Sequence, residues 1–277
     1  EFNHLVTALA QTLGEGYAIH KQDVFVRKQF QDESNDNHEF LSESYFKYFN
    51  GRSYTDSQTY LIITQENKKS RIFSFDSKKW RDFMVKIRKV KDQLKDSGVE
   101  ASYLDGNTAR EYVDRYFSMN FNDKTVSMTN FKVDEESISM GNKRCKVYSL
   151  VDVDCVSTPS IVRPFTNIEV NNVSMPVDMV SLVDSIPSAD VVVYNQMFFI
   201  PNQKRELSLL DKKKNRHASM PNPSNQIAVE DIKKVQDVIA RENKQLVYAH
   251  FNLVVGVPID ADIQKCTNHL ENSFGRL

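Results

Sequence analysis

The run VVVYNQMFFI (residues 191–200) is the strongest constraint on what this chain can become: it is apolar except for Asn195 and Gln196. Its β-branched and aromatic residues pack well on a pleated surface and lose rotamer freedom in a helix. A membrane-crossing helix needs roughly 18 consecutive apolar residues. This run, like FNLVVGVPI (251–259), is much shorter. Both read as strands, and a chain that contains them must supply elements to cover a sheet.

Helices with the right periodicity flank them. Leu5, Val6, Leu9 and Leu13 recur at helical spacing, and Gly14 with Gly16 ends that helix before the extended YAIHKQDVFV. Residues 40–49 read as a helix with Leu41, Tyr45, Tyr48 and Phe49 on one face, and TYLIIT (59–64) as a buried-type strand. Trp80, Phe83, Met84, Ile87 and Leu94 form an amphipathic stripe that stops at Ser97-Gly98. Tyr112, Val113, Tyr116 and Phe117 signal a further helix. Between 120 and 143 periodicity fades, and a boundary is expected near residue 140. Beyond it come the strand KVYSLVDVD (146–154), an irregular stretch with Pro159, Pro164, Pro176 and Pro187, and the strand at 190–200. A helix over 203–214, a helix carrying Val229, Ile232, Val235 and Ile239, the strand LVYAHFNLVV, and a helix over 261–274 complete the series. The expectation is an α+β protein with two α/β subdomains, 1–140 and 141–277. The second is ferredoxin-like, an antiparallel sheet with helices on one face, its last strand lying beyond Leu277.

Composition narrows the chemistry. Lys plus Arg (36) nearly cancels Asp plus Glu (37), so no global field steers nucleic acid or an anionic membrane. The three cysteines, Cys145, Cys155 and Cys266, form no C-x-x-C pair, which fits a reducing cytoplasmic compartment. The six histidines contain no i, i+4 pair and no H-E-x-x-H. The sequence has no G-x-x-x-x-G-K-[ST] phosphate cradle, and GEGYAI follows a helix and precedes a strand, the reverse of a dinucleotide-binding turn. Asp152 and Asp154 share one strand face as two metal-binding or catalytic carboxylates would, but they are read as a solvated strand face or end. No catalytic, cofactor-binding or metal-binding residue is therefore assigned.

What remains are candidate interaction surfaces. DKKKNRHASMPNPSNQ (211–226) contains Lys212, Lys213, Lys214, Arg216 and His217 and reads as a basic helix end, a proline-stopped loop and the next helix start. Positive charge at a helix C-terminus is worth roughly 0.3–1 kcal/mol per group, and Asn225 is the candidate N-cap of the following helix. Tyr248 and His250 share a strand face and could stack on bases. Together with the basic helix 78–95 they define the alternative reading, a nucleic-acid-binding module.

An ordered series of stretches carries a family resemblance: IHKQDVF (19–25), YFNGRSYTDSQTYLIIT (48–64), DRYFSMNF (114–121), YNQMFFIP (194–201), NRHASMP (215–221), VYAHFNL (247–253) and ENSFGRL. They resemble the N-terminal region of the TraG family of conjugation ATPases from Bacteroides-type conjugative transposons, within the large type IV secretion ATPases. The resemblance implies a non-catalytic docking and assembly domain, cytoplasmic and peripheral at the inner membrane. Its expected partners are inner-membrane components of the secretion channel, its own C-terminal motor, and further copies of the full-length chain. A RecA-like motor holding ATP and Mg is expected beyond residue 277, with no cofactor in this stretch. The opening EFNHL, without methionine or signal-peptide pattern, fits a segment of a longer protein.

Overall fold

A computed structural model describes residues 2–31, 40–67, 75–123, 126–128, 130–149, 166–170, 173–177, 183, 185–220 and 222–274. In chain order the described elements are α1 (Phe2–Leu13), β1 (Tyr17–Gln29), α2 (Phe40–Phe49), β2 (Ser53–Gln65), α3 (Ser77–Asp96), α4 (Gly106–Ser118), β3 (Phe131–Val133), β4 (Ile138–Met140) and β5 (Lys143–Ser149). They continue with β6 (Thr166–Val170), β7 (Val173–Val177), β8 (Val191–Phe199), α5 (Gln203–Ala218), α6 (Pro223–Glu242), β9 (Tyr248–Pro258) and α7 (Ile263–Phe274). This is the expected α+β class. Seven strands form one antiparallel sheet in the order β2-β1-β8-β9-β5-β4-β3, and β6 pairs with β7 separately.

The chain divides into two compact units that interleave in sequence. One comprises Glu1–His20, Leu61–Tyr103 and Gln196–His250, the other Lys21–Tyr60, Leu104–Asn195 and Phe251–Leu277. This partition differs from a sequential split near residue 140, where Gly141, at φ +59°, instead makes the tight turn between β4 and β5. Strands β8 and β9 from the second half are flanked by β1 on one side and β5 on the other, so the sheet expected within 141–277 is continued by strands of the first half. The end of the strand expected at 146–154, with Asp152 and Asp154, lies outside the described residues, as does Cys155.

In the first unit, Leu9 and Leu13 of α1 and Val90 of α3 bury against Tyr17, Ile19 and Ile200, with Phe83 and Leu94 at the margin. Asp76 caps α3 by accepting from the Lys78 and Lys79 amides at 3.0 and 3.2 Å. Those hydrogen bonds hold its carboxyl below the usual range. Lys86 is spent on packing: its ammonium donates to the Leu13 carbonyl at the end of α1 and lies 4.3 Å from the Tyr17 ring centre.

In the second unit the strands are covered on both faces, and alternation sorts the residues. Val24, Val26, Val191, Val193 and Val254 bury with Cys145, Met119 and Phe121. Phe25, Val192, Val255 and Val257 point the other way, onto Ile263, Cys266 and Leu270 of α7. Met119 follows α4 in the left-handed conformation (φ +48°) and presses into the sheet. A Cβ at Gly256 would come within 3.3 Å of Met119 Cε and 3.6 Å of Cys145 Sγ, so glycine keeps that contact open.

Two residues along from the valines, the same face turns polar. Gln22 on β1, Asn195 on β8 and Asn252 on β9 form a cross-strand amide ladder: Gln22 Nε2 donates to Asn195 Oδ1 at 2.6 Å, and Asn195 Nδ2 donates to Asn252 Oδ1 at 2.7 Å. Gln22 and Asn195 are only 4% and 3% exposed, so their amides must find hydrogen bonds within the protein. Tyr112 of α4 donates its hydroxyl to Gln22 Oε1, and Tyr116 also hydrogen-bonds Asn195. Burial drives both phenol pKa values up. Replacing Asn195 by leucine keeps the branched shape but removes the acceptor of the Gln22 amide and the donor to Asn252 Oδ1. Asn195→Leu is expected to lower the unfolding free energy by about 1–3 kcal/mol in urea titrations. An unchanged midpoint and slope would show that the ladder does not stabilise the sheet.

Candidate interaction surface

All the candidate interaction residues fall in the first unit, on α5 and the start of β9. Helix α5 is anchored at its N-terminus. Asn202 caps it by accepting from the Arg205 amide at 2.9 Å, and the Glu15 carboxylate accepts from Asn202 Nδ2 at 2.7 Å and from the Gln203 amide at 3.0 Å. Glu15 reaches this position because Gly14 and Gly16 both adopt positive φ (+74° and +81°). The GEG stretch is thus a turn that brings a carboxylate to a helix N-terminus, where its charge is stabilised. Gln203 adds bonds to the Pro201 and Leu246 carbonyls and accepts from the Leu246 amide, tying α5 to the approach of β9.

The helix outlasts the sequence expectation. It runs to Ala218, with Arg216 and His217 in its last turn, so these two meet the negative end of the dipole and the lysines lie further back. The N-cap of α6 is Asn222, accepting from the Asn225 amide at 2.7 Å with Pro223 at the first position; it is not Asn225. The Asn225 side chain closes the turn instead, bonding His217 Nδ1 at 2.8 Å and the Met220 carbonyl at 2.6 Å.

This geometry separates the basic residues into two groups. Lys214 and His217 are half-buried and belong to the seam between α5 and α6: Lys214 donates to Asp211 and to Gln236 of α6, both at 2.8 Å, and Gln236 donates back to Asp211 at 2.9 Å. Those contacts hold the Asp211 carboxyl below its ordinary pKa. Lys212, Lys213 and Arg216 are exposed, and their side chains have no hydrogen-bond or ion-pair partner among the described residues.

Tyr248 belongs to a different place. Its hydroxyl donates to Glu206 Oε2 at 2.6 Å, and its ring stacks on Phe199 with centroids 6.4 Å apart and planes 4° from parallel. Glu206 lies on the first turns of α5, about 9 Å in helical rise before Lys212 and about 15 Å before Arg216. The structure therefore does not join Tyr248 to the cationic patch. His250 is exposed two residues further along β9, on the same strand face as Tyr248. Of the basic helix, Lys86 is committed to Leu13 and Tyr17, and Lys91 lies 4.6 Å over the Tyr103 ring.

Sequence reasoning missed the apolar part of this surface. Val229, Ile232, Val235 and Ile239 mark α6 in the sequence; Ile232 is buried, but Val235 is 43% exposed. It joins Ile227 (60%) and Val238 (44%) on α6, with Leu209 (45%) on α5. The signal was present in the 11-residue spacing of Ile227 and Val238, about three helical turns, which places them on one side of α6. Cys145 and Cys266 are buried free thiols, and burial pushes Cys145 up to about 12. Among the described residues no group of His, Cys, Asp and Glu could hold a metal ion, and no helix is long and apolar enough to cross a membrane.

Compared with known family models and with curated proteins, the chain matches none. The local electrostatics are open to direct test. The hydrogen bond to Glu206 is the first cause of a raised Tyr248 pKa, followed by desolvation and carboxylate repulsion, because ionising the phenol would set two anions together. Glu206→Gln is expected to move the Tyr248 ionisation down towards that of free tyrosine, as a difference in ultraviolet phenolate titration against wild type. Superimposable titrations would show that the contact does not form in solution.

Proposed function

We propose that this chain is a non-catalytic docking and assembly domain of a conjugation ATPase of the type IV secretion class, peripheral at the cytoplasmic side of the inner membrane. The family rests on the ordered series from IHKQDVF to ENSFGRL, and the motor with its ATP and Mg belongs to another part of the longer protein. The observation that carries a docking role is the α5–α6 hairpin. Lys212, Lys213 and Arg216 stand exposed on α5, without partners among the described residues, and Ile227, Val235 and Val238 are exposed on α6. A hairpin that carries free cations on one helix and exposed apolar residues on the other suits an acidic, partly apolar protein surface: the charges steer encounter, and the apolar residues supply area to bury. Components of the secretion channel are the partners this reading assigns to the hairpin.

Reversing the three charges leaves the hairpin seam intact, because none of them contributes to it. The triple variant Lys212→Glu, Lys213→Glu, Arg216→Glu, placed in the full-length protein, is expected to keep its circular dichroism and thermal unfolding while DNA transfer falls at least about tenfold, the equivalent of about 1.4 kcal/mol. Recovery of the protein with the purified channel complex should fall in parallel. Normal transfer by the folded variant would remove the hairpin from the docking role. A loss confined to single-stranded DNA binding, with steep salt dependence in the wild type, would favour the nucleic-acid reading instead.

A further inference from the structure

Strand β2 ends the seven-stranded sheet: β1 lies on one side, and among the described residues no strand lies on the other. An outermost strand presents a row of backbone N–H and C=O groups able to pair with another chain. Soluble proteins ordinarily blunt such edges by making them short or by placing lysine, proline or a bulge there. At 13 residues β2 is long. From residue 57 to residue 65 it reads SQTYLIITQ, with no charge and no proline, bracketed by Asp56 and Glu66.

The two ends of this run are held in place. Asp56 pairs with Lys28 at 2.5 Å, and the Glu66 amide donates to the Gly16 carbonyl at 2.7 Å. Ile63 packs at the margin of the core formed by Tyr17 and Ile19. Leu61 and Ile62 point to opposite faces, and each is 36% exposed. Among the described residues the edge is therefore apolar and unpaired at its centre.

We infer that β2 is a self-pairing edge, and that two copies of the chain join β2 to β2, antiparallel, about a two-fold axis through Ile62. A second copy fits better than a foreign strand because the segment complements itself. A two-fold axis normal to the sheet must pass through a residue pair, since opposed residues have to share a face. Centring on Ile62 sets Ile62 opposite Ile62, Leu61 opposite Ile63 and Tyr60 opposite Thr64, and combinations of β-branched, aliphatic and aromatic residues are favourable across strands. The same register sets Glu66 opposite Gln58. Centring on Leu61 would bring Asp56 against Glu66, a repulsion that favours Ile62 over Leu61, and centring on Ile63 would set the Glu66 carboxylate against the Tyr60 ring in place of an amide.

Three measurements test the pairing. Sedimentation velocity of the wild-type chain over a range of concentrations should show a reversible monomer–dimer equilibrium, and Ile62→Lys should weaken it at least tenfold by placing two ammonium groups face to face. Ile62→Cys should form a covalent dimer on mild oxidation, cross-linked through position 62 by peptide mapping, whereas the wild type should give no cross-link there. If Ile62→Lys proves unfolded, the cysteine variant decides alone. A wild type that remains monomeric at all concentrations would overturn the inference. So would a dimer indifferent to Ile62→Lys in which the Ile62→Cys variant does not cross-link, because another surface would then hold the copies together.

Discussion

The covering of β8 on both faces is the constraint from which the second unit follows. Val191, Val192 and Val193 are each no more than 3% exposed, so consecutive side chains pointing in opposite directions all need cover. Neither face alone could supply the burial that a continuous apolar run requires. Met119 and Phe121, just after α4, close one side, and Ile263, Cys266 and Leu270 of α7 close the other. The left-handed backbone of Met119 and the missing side chain of Gly256 are local consequences of fitting a helix end closely onto that sheet. The amide ladder extends the constraint to register. Slipping β8 by one residue would carry Asn195 to the opposite face and strand the Gln22 amide, so polar satisfaction and apolar alternation specify the same alignment.

How much of this was legible depended on whether the signal was local. The strands at 191–199 and 248–258 and the helix from Ser77 to Asp96 were readable because alternation, helical spacing and a Ser-Gly stop lie within a few residues of one another. Strands β3 and β4 were not, because Phe131–Val133 and Ile138–Met140 have 3 residues each, too few to establish a period. The interleaved units were invisible for another reason. Placing β1 beside β8 depends on contacts such as Gln22 with Asn195, 173 residues apart, and nothing in either neighbourhood announces the other. The ferredoxin-like expectation for the second half was built from strands near in sequence, and it says nothing of β1 beside β8.

The basic stretch shows what periodicity can and cannot deliver. Lys212, Lys213, Lys214, Arg216 and His217 look equivalent as a sequence, but a helix separates them by angle. Positions 210, 214 and 217 follow the 3.6-residue repeat onto the α6 side, which leaves 212, 213 and 216 facing away. Which side met α6 could not be known without Gln236 and Asn225, the residues that engage Lys214 and His217 from the other helix. The inward positions use a lysine and a histidine where a hairpin seam commonly holds apolar residues. Both are satisfied by amides and a carboxylate, so the seam tolerates polarity without leaving unmet hydrogen bonds.

The two ends of the large sheet differ in a way that bears on how the protein meets other molecules. At one end β3 is 3 residues long and places Lys132 at its centre, two of the ordinary means of discouraging edge pairing. At the other end β2 is 13 residues long and its second half carries neither charge nor proline. A sheet whose outer edges had drifted without consequence would have no reason to guard the shorter edge and leave the longer one bare. Charge is plentiful in the chain, at 26% of residues, so the uncharged nine-residue run is a local departure from its own composition. An open edge of that length is a hazard in a soluble protein unless it is met by a specific strand, and a strand that offers the same uncharged, β-branched surface meets it without burying a charge.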